Sequence, residues 1–344
     1  ALAVLAASLG WMLLRALRGA ISLGDLAMFG QAFLQGQRLM RTLLESAGQI
    51  YSNVLFLGYL FEFLELEPRV IDPEQPQPAP ERLQKGITLR SVAFTYPGST
   101  RPVFENLNLD IEAGTVAALL GPNGTGKSTL FKLLCRFYDP SSGAVELDGV
   151  DIRSFPLDEL RRRIGVLFQE PLHFFETAAD NIDFGNLPNA GNREQVRRAA
   201  EAAGATSLIE RLPEGYDTML GRWFGGAELS VGEWQRIALA RCFVRQSEIL
   251  LLDEPTSAMD SWAEADWMGR FLELARGRTA IVITHRLTTA MRADIIHVLE
   301  DGRIAESGGH AALLRTDGAY ARAWRLQMTQ GCAGTFGELG RDES

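Results

Sequence analysis

Gly121-Pro122-Asn123-Gly124-Thr125-Gly126-Lys127-Ser128 decides how the rest of the chain is read, because its glycines, lysine and hydroxyl stand at the spacing of a phosphate-binding loop. An apolar run, Thr115 to Leu120, precedes it, and helix-forming residues, Ser128 to Phe137, come after, which puts the loop at a strand-to-helix turn. Glycine reaches backbone angles closed to other residues, so successive N–H groups can converge on phosphate oxygens at the positive end of a helix. Lys127 then reaches the β- and γ-phosphates, and Ser128 offers a hydroxyl oxygen to Mg²⁺.

Outward from the loop, bulk properties set limits. A chain of 344 residues with 46% hydrophobic content holds at least two domains and is too apolar for disorder. Its net charge of -9 argues against nucleic acid as a partner, since phosphate-backbone affinity needs concentrated Lys and Arg. Cys135, Cys242 and Cys332 show neither pairing nor metal spacing, which suits a reducing compartment and inert thiols. Ala1 to Leu14 is almost wholly apolar and lacks the basic leader of a signal peptide. At fourteen residues it is shorter than the ~20 needed to cross a bilayer. It reads as the stump of a truncated spanning helix, so the chain is expected to be part of a longer protein.

Ile21 to Asp25 reads as a turn and helix start, and no proline interrupts the chain from there to Glu67, which permits one helix of roughly 60 Å. Gln31, Gln35, Arg38, Thr42, Glu45, Gln49 and Ser52 recur at alternating steps of four and three and so share a face. Residues 1–67 are therefore expected to be a partial transmembrane domain, one helix end plus a long helix extending into the cytoplasm. The proline-rich stretch 68–81 is expected to be a semi-extended spacer that packs no core.

From Ile87 the pattern turns to short strands: Ile87 to Val92, Ala93 to Tyr96, Leu107 to Ile111, Ala144 to Leu147 with a turn at Asp148-Gly149, and Ile164 to Phe168 ending in Gln169. Between Pro171 and Arg245 helices take over, with a capping-box pattern at Asn192 and Gln195 and a stop at Gly204. Ile249 to Leu252 and Ala280 to Ile283 are continuous apolar runs suited to central parallel strands. A nucleotide domain is expected over 82–328 and a flexible tail over 329–344.

The run Ile249 to Leu252 ends in Asp253-Glu254, and α/β sheets place ligand groups at such strand ends. Asp253 is placed for the Mg²⁺ shell and Glu254 for orienting or deprotonating water. His285 closes another strand, where an imidazole can contact the γ-phosphate. Leu229-Ser230-Val231-Gly232-Glu233 opens a helix through Arg241, which offers a hydroxyl and backbone N–H groups as a second anion site.

This combination resembles the ABC transporter family, and the order of its parts resembles the exporters, whose membrane helices precede the ATPase. The resemblance implies an α-helical transmembrane segment followed by an α/β P-loop NTPase, with an antiparallel β-subdomain and a helical subdomain. It makes Gly121, Asn123, Gly124, Thr125, Gly126, Lys127, Ser128 and Thr129 the Walker A, Ile249 to Asp253 the Walker B and Glu254 the catalytic glutamate. Ser257 to Asp260 becomes the D-loop, Gln169 the Q-loop and a metal ligand, His285 the switch histidine and Tyr96 the aromatic against adenine. The family signature reads Leu-Ser-Gly-Gly-Gln; Val231 and Glu233 depart from it, while Ser230 and Gly232, which meet the γ-phosphate in the family, are retained. The resemblance further implies a Mg²⁺-dependent ATPase that drives export of an unidentified substrate as one half of a homo- or heterodimer. It would sit in the plasma (inner) membrane, in contact with lipid, with its ATPase domain in the cytoplasm. Two other readings stand beside it, a soluble ABC-type ATPase and a catalytically silent nucleotide-binding module.

Overall fold

The computed structural model describes residues 2–221, 225–257, 259 and 261–336. The chain divides into two compact units, 1–68 and 69–344.

In the first unit, α1 (Leu2–Leu17) and α2 (Leu23–Leu64) are joined by a short turn. Ser22 starts α2 with a capping box: its Oγ accepts the Asp25 N–H at 3.2 Å, and the Asp25 carboxylate accepts the Ser22 N–H at 2.8 Å. Leu39, Leu43, Phe56 and Phe61 are exposed along α2. Even so, among the described residues no helix is long and apolar enough to cross a membrane. Polar and charged residues recur along α2, among them Gln31, Gln35, Arg38, Arg41, Glu45, Gln49, Asn53 and Glu62.

The second unit is built on two sheets. In the first, β1 (Gly86–Phe94) pairs antiparallel with β2 (Phe104–Glu112) and β4 (Ser142–Leu147), and β5 (Val150–Asp151) extends the edge. The two strands expected from Ile87 to Tyr96 are one strand with an irregularity after Leu89, where Ser91 takes a φ of 47°. Asp148 and Gly149, both at positive φ, turn β4 into β5.

The second sheet joins β6 (Ile164–Leu167), β7 (Ile249–Asp253), β8 (Thr279–Ile283), β3 (Val116–Leu120) and β9 (Ile295–Glu300) in parallel, with β10 (Arg303–Gly308) antiparallel at the edge. β7 is buried on both faces: Leu250 and Leu252 join a core with the helices, and Ile249 and Leu251 join a core with the antiparallel sheet. This explains its unbroken apolar sequence.

α3 (Lys127–Leu134) follows β3, and α4 (Leu157–Arg162) precedes β6. The helical insertion comprises α5 (Ala178–Asp183), α6 (Arg193–Ala202), α7 (Thr206–Glu210) and α8 (Val231–Phe243). Asn192 caps α6 by accepting the Gln195 N–H at 3.2 Å, but Gln195 does not return the bond; its amide donates to the Val244 carbonyl at 2.8 Å. α9 (Ser261–Ala275) lies between β7 and β8, α10 (Leu287–Ala290) follows β8, and α11 (His310–Arg315) and α12 (Ala319–Phe336) close the described chain.

Two expectations change here. The spacer is laid onto the second unit. The Ile71 carbonyl accepts from Arg136 Nη2 at 2.9 Å, the Asp72 carboxylate accepts the Leu157 N–H at 2.7 Å, and the Gln77 N–H donates to the Ser154 carbonyl at 2.8 Å. Ala79 is buried in the core beneath the antiparallel sheet. Prolines prevent regular structure, not docking. The tail expected over 329–344 is helical through Phe336, since Ala, Arg, Gln and Met favour α12 more than its two late glycines oppose it. Residues 337–344 lie outside the described residues.

Candidate nucleotide site

The phosphate loop depends on glycine at two contacts. Gly126, at φ 105°, caps α3, and a Cβ there would lie 2.6 Å from the Phe104 ring. At Gly121, φ 151°, a Cβ would lie 2.2 Å from the Leu299 carbonyl oxygen. Thr125 braces the loop internally, its hydroxyl donating to the Pro122 carbonyl at 3.0 Å.

Lys127 Nζ donates to the carbonyls of Gly121 at 2.7 Å and Pro122 at 2.8 Å. Partial burial lowers its pKa, with Asp253 and Glu254 acting in the opposite direction.

β7 delivers Asp253 to the C-terminal edge of the sheet, 2% exposed, where its Oδ2 accepts the Ser128 hydroxyl at 2.8 Å. Burial raises the Asp253 pKa, opposed by the Ser128 hydrogen bond. Among the described residues no group of three or more His, Cys, Asp or Glu could hold a metal alone. The oxygens of Ser128, Asp253 and the Gln169 amide fit a hard cation that keeps water and phosphate as its remaining ligands, which is the habit of Mg²⁺.

Glu254 leaves the strand at φ 51°, a left-handed conformation that costs a non-glycine residue of order 1 kcal/mol or more. Its neighbours hold it there. The Glu254 N–H donates to the Ile283 carbonyl at 2.9 Å, and its own carbonyl accepts from Gln235 Nε2 at 2.9 Å. The turn aims the carboxylate at His285, whose Nδ1 is 3.2 Å from Oε1. His285 stays exposed beyond β8, while the next residue, Arg286, pairs with the buried Glu264 of α9 and donates to the Met259 carbonyl at 3.0 Å.

Tyr96 stands edge-on to Phe94 and Tyr138, with ring centroids 4.9 and 5.3 Å away. Its hydroxyl lies 2.9 Å from Thr129 Oγ1, and Lys132 Nζ is 5.4 Å from the ring centroid.

These groups open on one cleft of about 400 Å³, which brings Tyr96, Asn123, Gly124, Gly126, Lys127, Ser128, Thr129, Gln169, Asp253 and Glu254 together. Gly121, Thr125 and His285 support it from behind or beside. Ser230 and Gly232 are absent from its lining.

At the start of α8 the structure shows a contact that the sequence reading did not name. The Ser230 N–H and hydroxyl were expected to face an anion; both donate to Glu233 Oε2 at 2.9 Å, and the Glu233 N–H returns to Ser230 Oγ at 3.4 Å. The pattern Ser230-x-x-Glu233 is itself the signature of such a box. Gln235 was missed altogether. It bridges the Glu254 carbonyl and the Ser257 hydroxyl, the latter at 3.2 Å, and only the placement of α8 against β7 brings it there. Of the expected D-loop, Ala258 and Asp260 lie outside the described residues.

The family model described as "ABC transporter" matches residues 104–257. The chain is 39% identical over 314 residues to an "ATP-dependent lipid A-core flippase" of Aromatoleum aromaticum, across 91% of this chain and 51% of that protein. It is 42% identical over 275 residues to "ABC transporter B family member 1" of Arabidopsis thaliana, across 78% of this chain and 21% of that one. Among solved structures, a bacterial Atm1-family ABC exporter with ATP bound superposes with a TM-score of 0.73 at 36% identity, covering 94% of this chain and 55% of that chain. The chain spans about half the length of the flippase.

Proposed function

Because this chain belongs to the ABC transporter family, we propose that it is the ATP-hydrolysing part of an export half-transporter. In this reading residues 82–328 form the ATPase, 68–81 its docked lead-in, and 1–67 part of a membrane domain shared with a second half-transporter. The intact protein would lie in the inner membrane with the ATPase on its cytoplasmic side. The exposed apolar residues of α2 support a lipid- or protein-facing role for 1–67.

The observation that carries the catalytic reading is the set Lys127, Ser128–Asp253 and Glu254–His285 at one cleft. The loop amides bind the phosphates, and Lys127 exchanges its two carbonyl partners for phosphate oxygens. Ser128, Gln169 and Asp253 would hold Mg²⁺, which when bound withdraws charge from those oxygens. Glu254 positions the attacking water and takes its proton; His285 orients the Glu254 carboxylate and faces the γ-phosphate. Tyr96 supplies a surface for the adenine, held upright by Thr129 and the neighbouring rings. Ser230 and Gly232 lie outside this cleft, which supports their acting on the nucleotide of a second chain.

Two substitutions test it. Glu254→Gln should leave ATP binding within about twofold of the unmutated protein and lower hydrolysis by roughly 100-fold or more, since it removes a proton acceptor without disturbing the cradle. Lys127→Ala should instead weaken ATP binding itself, by about tenfold or more. Hydrolysis near the unmutated rate in Glu254→Gln would overturn the assignment.

A further inference from the structure

Glu254 has to hold a carboxylate still on a backbone that resists being held. Its φ of 51° is left-handed, and Pro255 follows it, although a residue that precedes proline favours extended backbone. Two bonds from outside the turn fix its peptide groups. On the strand side the Glu254 N–H donates to the Ile283 carbonyl at 2.9 Å, which continues the pairing of β7 with β8. On the other side the Glu254 carbonyl accepts from Gln235 Nε2 at 2.9 Å. The same nitrogen donates to the Ser257 hydroxyl at 3.2 Å, so one side chain spans the turn from Glu254 to Ser257. Gln235 is 5% exposed, and it is absent from the lining of the nucleotide cleft. α8 gives it a firm base: Ile237 and Leu239 share a core with Leu250 and Leu252 of β7, and Arg241 Nε donates to the Asn181 carbonyl at 2.7 Å.

We propose that Gln235 is a positioning residue for ATP hydrolysis: it holds the left-handed turn that keeps the Glu254 carboxylate on the cleft, 3.2 Å from His285 Nδ1. The inference rests on the proposed function, in which Glu254 positions the attacking water. Gln235 acts through Glu254 and does not itself meet nucleotide or water. Without its amide the Glu254 carbonyl keeps the Ser257 N–H, 3.2 Å away, so no buried acceptor is orphaned. The peptide is then free to turn toward the extended backbone that Pro255 favours, and the carboxylate turns with it. A displacement of about 1 Å at a reacting group costs on the order of 100-fold in rate. The phosphate cradle is built elsewhere, by Gly121 to Lys127 and the bond of Ser128 to Asp253, all ahead of the turn. The loss therefore falls on turnover and spares nucleotide binding.

The test uses the full chain with Mg-ATP as the probe, and reads both ATP binding and steady-state hydrolysis. Gln235→Met keeps the length of the side chain and removes the donor. It should lower kcat roughly tenfold or more while the ATP dissociation constant stays within about twofold. Gln235→Asn, whose amide falls one methylene short of the Glu254 carbonyl, should show the same split, and it carries the test where the Met variant does not fold. The sharper comparison is made in the Glu254→Gln background. A residue that works through the Glu254 carboxylate has nothing left to position there, so adding Gln235→Met should change the residual rate by less than about twofold. Turnover within about twofold of the unmutated protein in both single variants overturns the proposal, as does an ATP affinity that falls in step with turnover. An equal loss with and without the Glu254 carboxylate overturns it too, since Gln235 would then support the fold and not Glu254. The reading on which it rests fails separately, if Glu254→Gln by itself leaves hydrolysis unchanged.

Discussion

Glu254 shows what a single residue needs before it can act. Its identity as an acid at a strand end is visible in Asp253-Glu254, but its left-handed backbone and its hold by Ile283 and Gln235 are not. Motif residues are legible because a loop such as Gly121 to Ser128 fixes its own geometry through local spacing. Gln235 is illegible for the opposite reason: nothing near it in sequence says that α8 will lie against the end of β7. Glu233 is a third case, with two local patterns overlapping. Read against the family signature it is a departure; read as Ser-x-x-Glu it completes a capping box, and the structure shows that box. The cysteines are simpler. Burial pushes the thiols of Cys135 and Cys242 up to about 12, so neither is a thiolate at neutral pH. Neither should react with an aromatic disulfide reagent until the protein is denatured. Rapid modification of either in the folded protein would show that its surroundings open.

At the scale of elements, the parallel strands are the easiest to read. β7 and β8 are apolar apart from Asp253 and Thr279 at their ends because both faces are covered, whereas β1 reads as two strands that part after Val92, where one strand shifts register against β2 on either side. β9 carries a less visible feature. His297 pairs with Ser307 across the β9–β10 ladder, with its Nδ1 2.7 Å from the hydroxyl, and its Nε2 is buried without a partner among the described residues. Burial lowers its pKa to about 4, with Asp110 opposing. In the unfolded chain it takes a proton near the ordinary value of about 6.5. Between these values the unfolded state binds more protons, so the contribution to stability is complete above about pH 6.5 and is lost as pH falls toward 4. It amounts to at most about 3 kcal/mol. The urea midpoint should therefore fall between about pH 7 and about pH 5, and His297→Asn should flatten that slope. An unchanged slope in the variant would assign it to other groups.

At the scale of the molecule, the division near Pro68 falls where prolines begin, and it is legible for that reason. What composition hides is that the same prolines leave N–H and C=O groups free to bond elsewhere, as Asp72 and Gln77 bring the chain onto α4 and its lead-in. A fragment of residues 69–344 should stay in solution without detergent. Shortening it to 82–344 removes the bonds at Ile71, Asp72 and Gln77 and uncovers the site of Ala79. The loss should be about 2–4 kcal/mol, read as a lower urea midpoint, with ATP affinity unchanged. Equal midpoints would show that the docking contributes nothing.

The docked segment also sets how force can pass along the chain. α2 ends at Leu64 and the first pinned backbone group belongs to Ile71, so the slack between the long helix and the nucleotide unit is a handful of residues, one of them Pro68. A long, loose leash would let either end move without the other noticing. A short one limits the reach of residues 65–70 to about 3.5 Å each, and it ends where the Ile71 carbonyl accepts from Arg136. That guanidinium reaches from the end of α3, the helix that begins at Lys127.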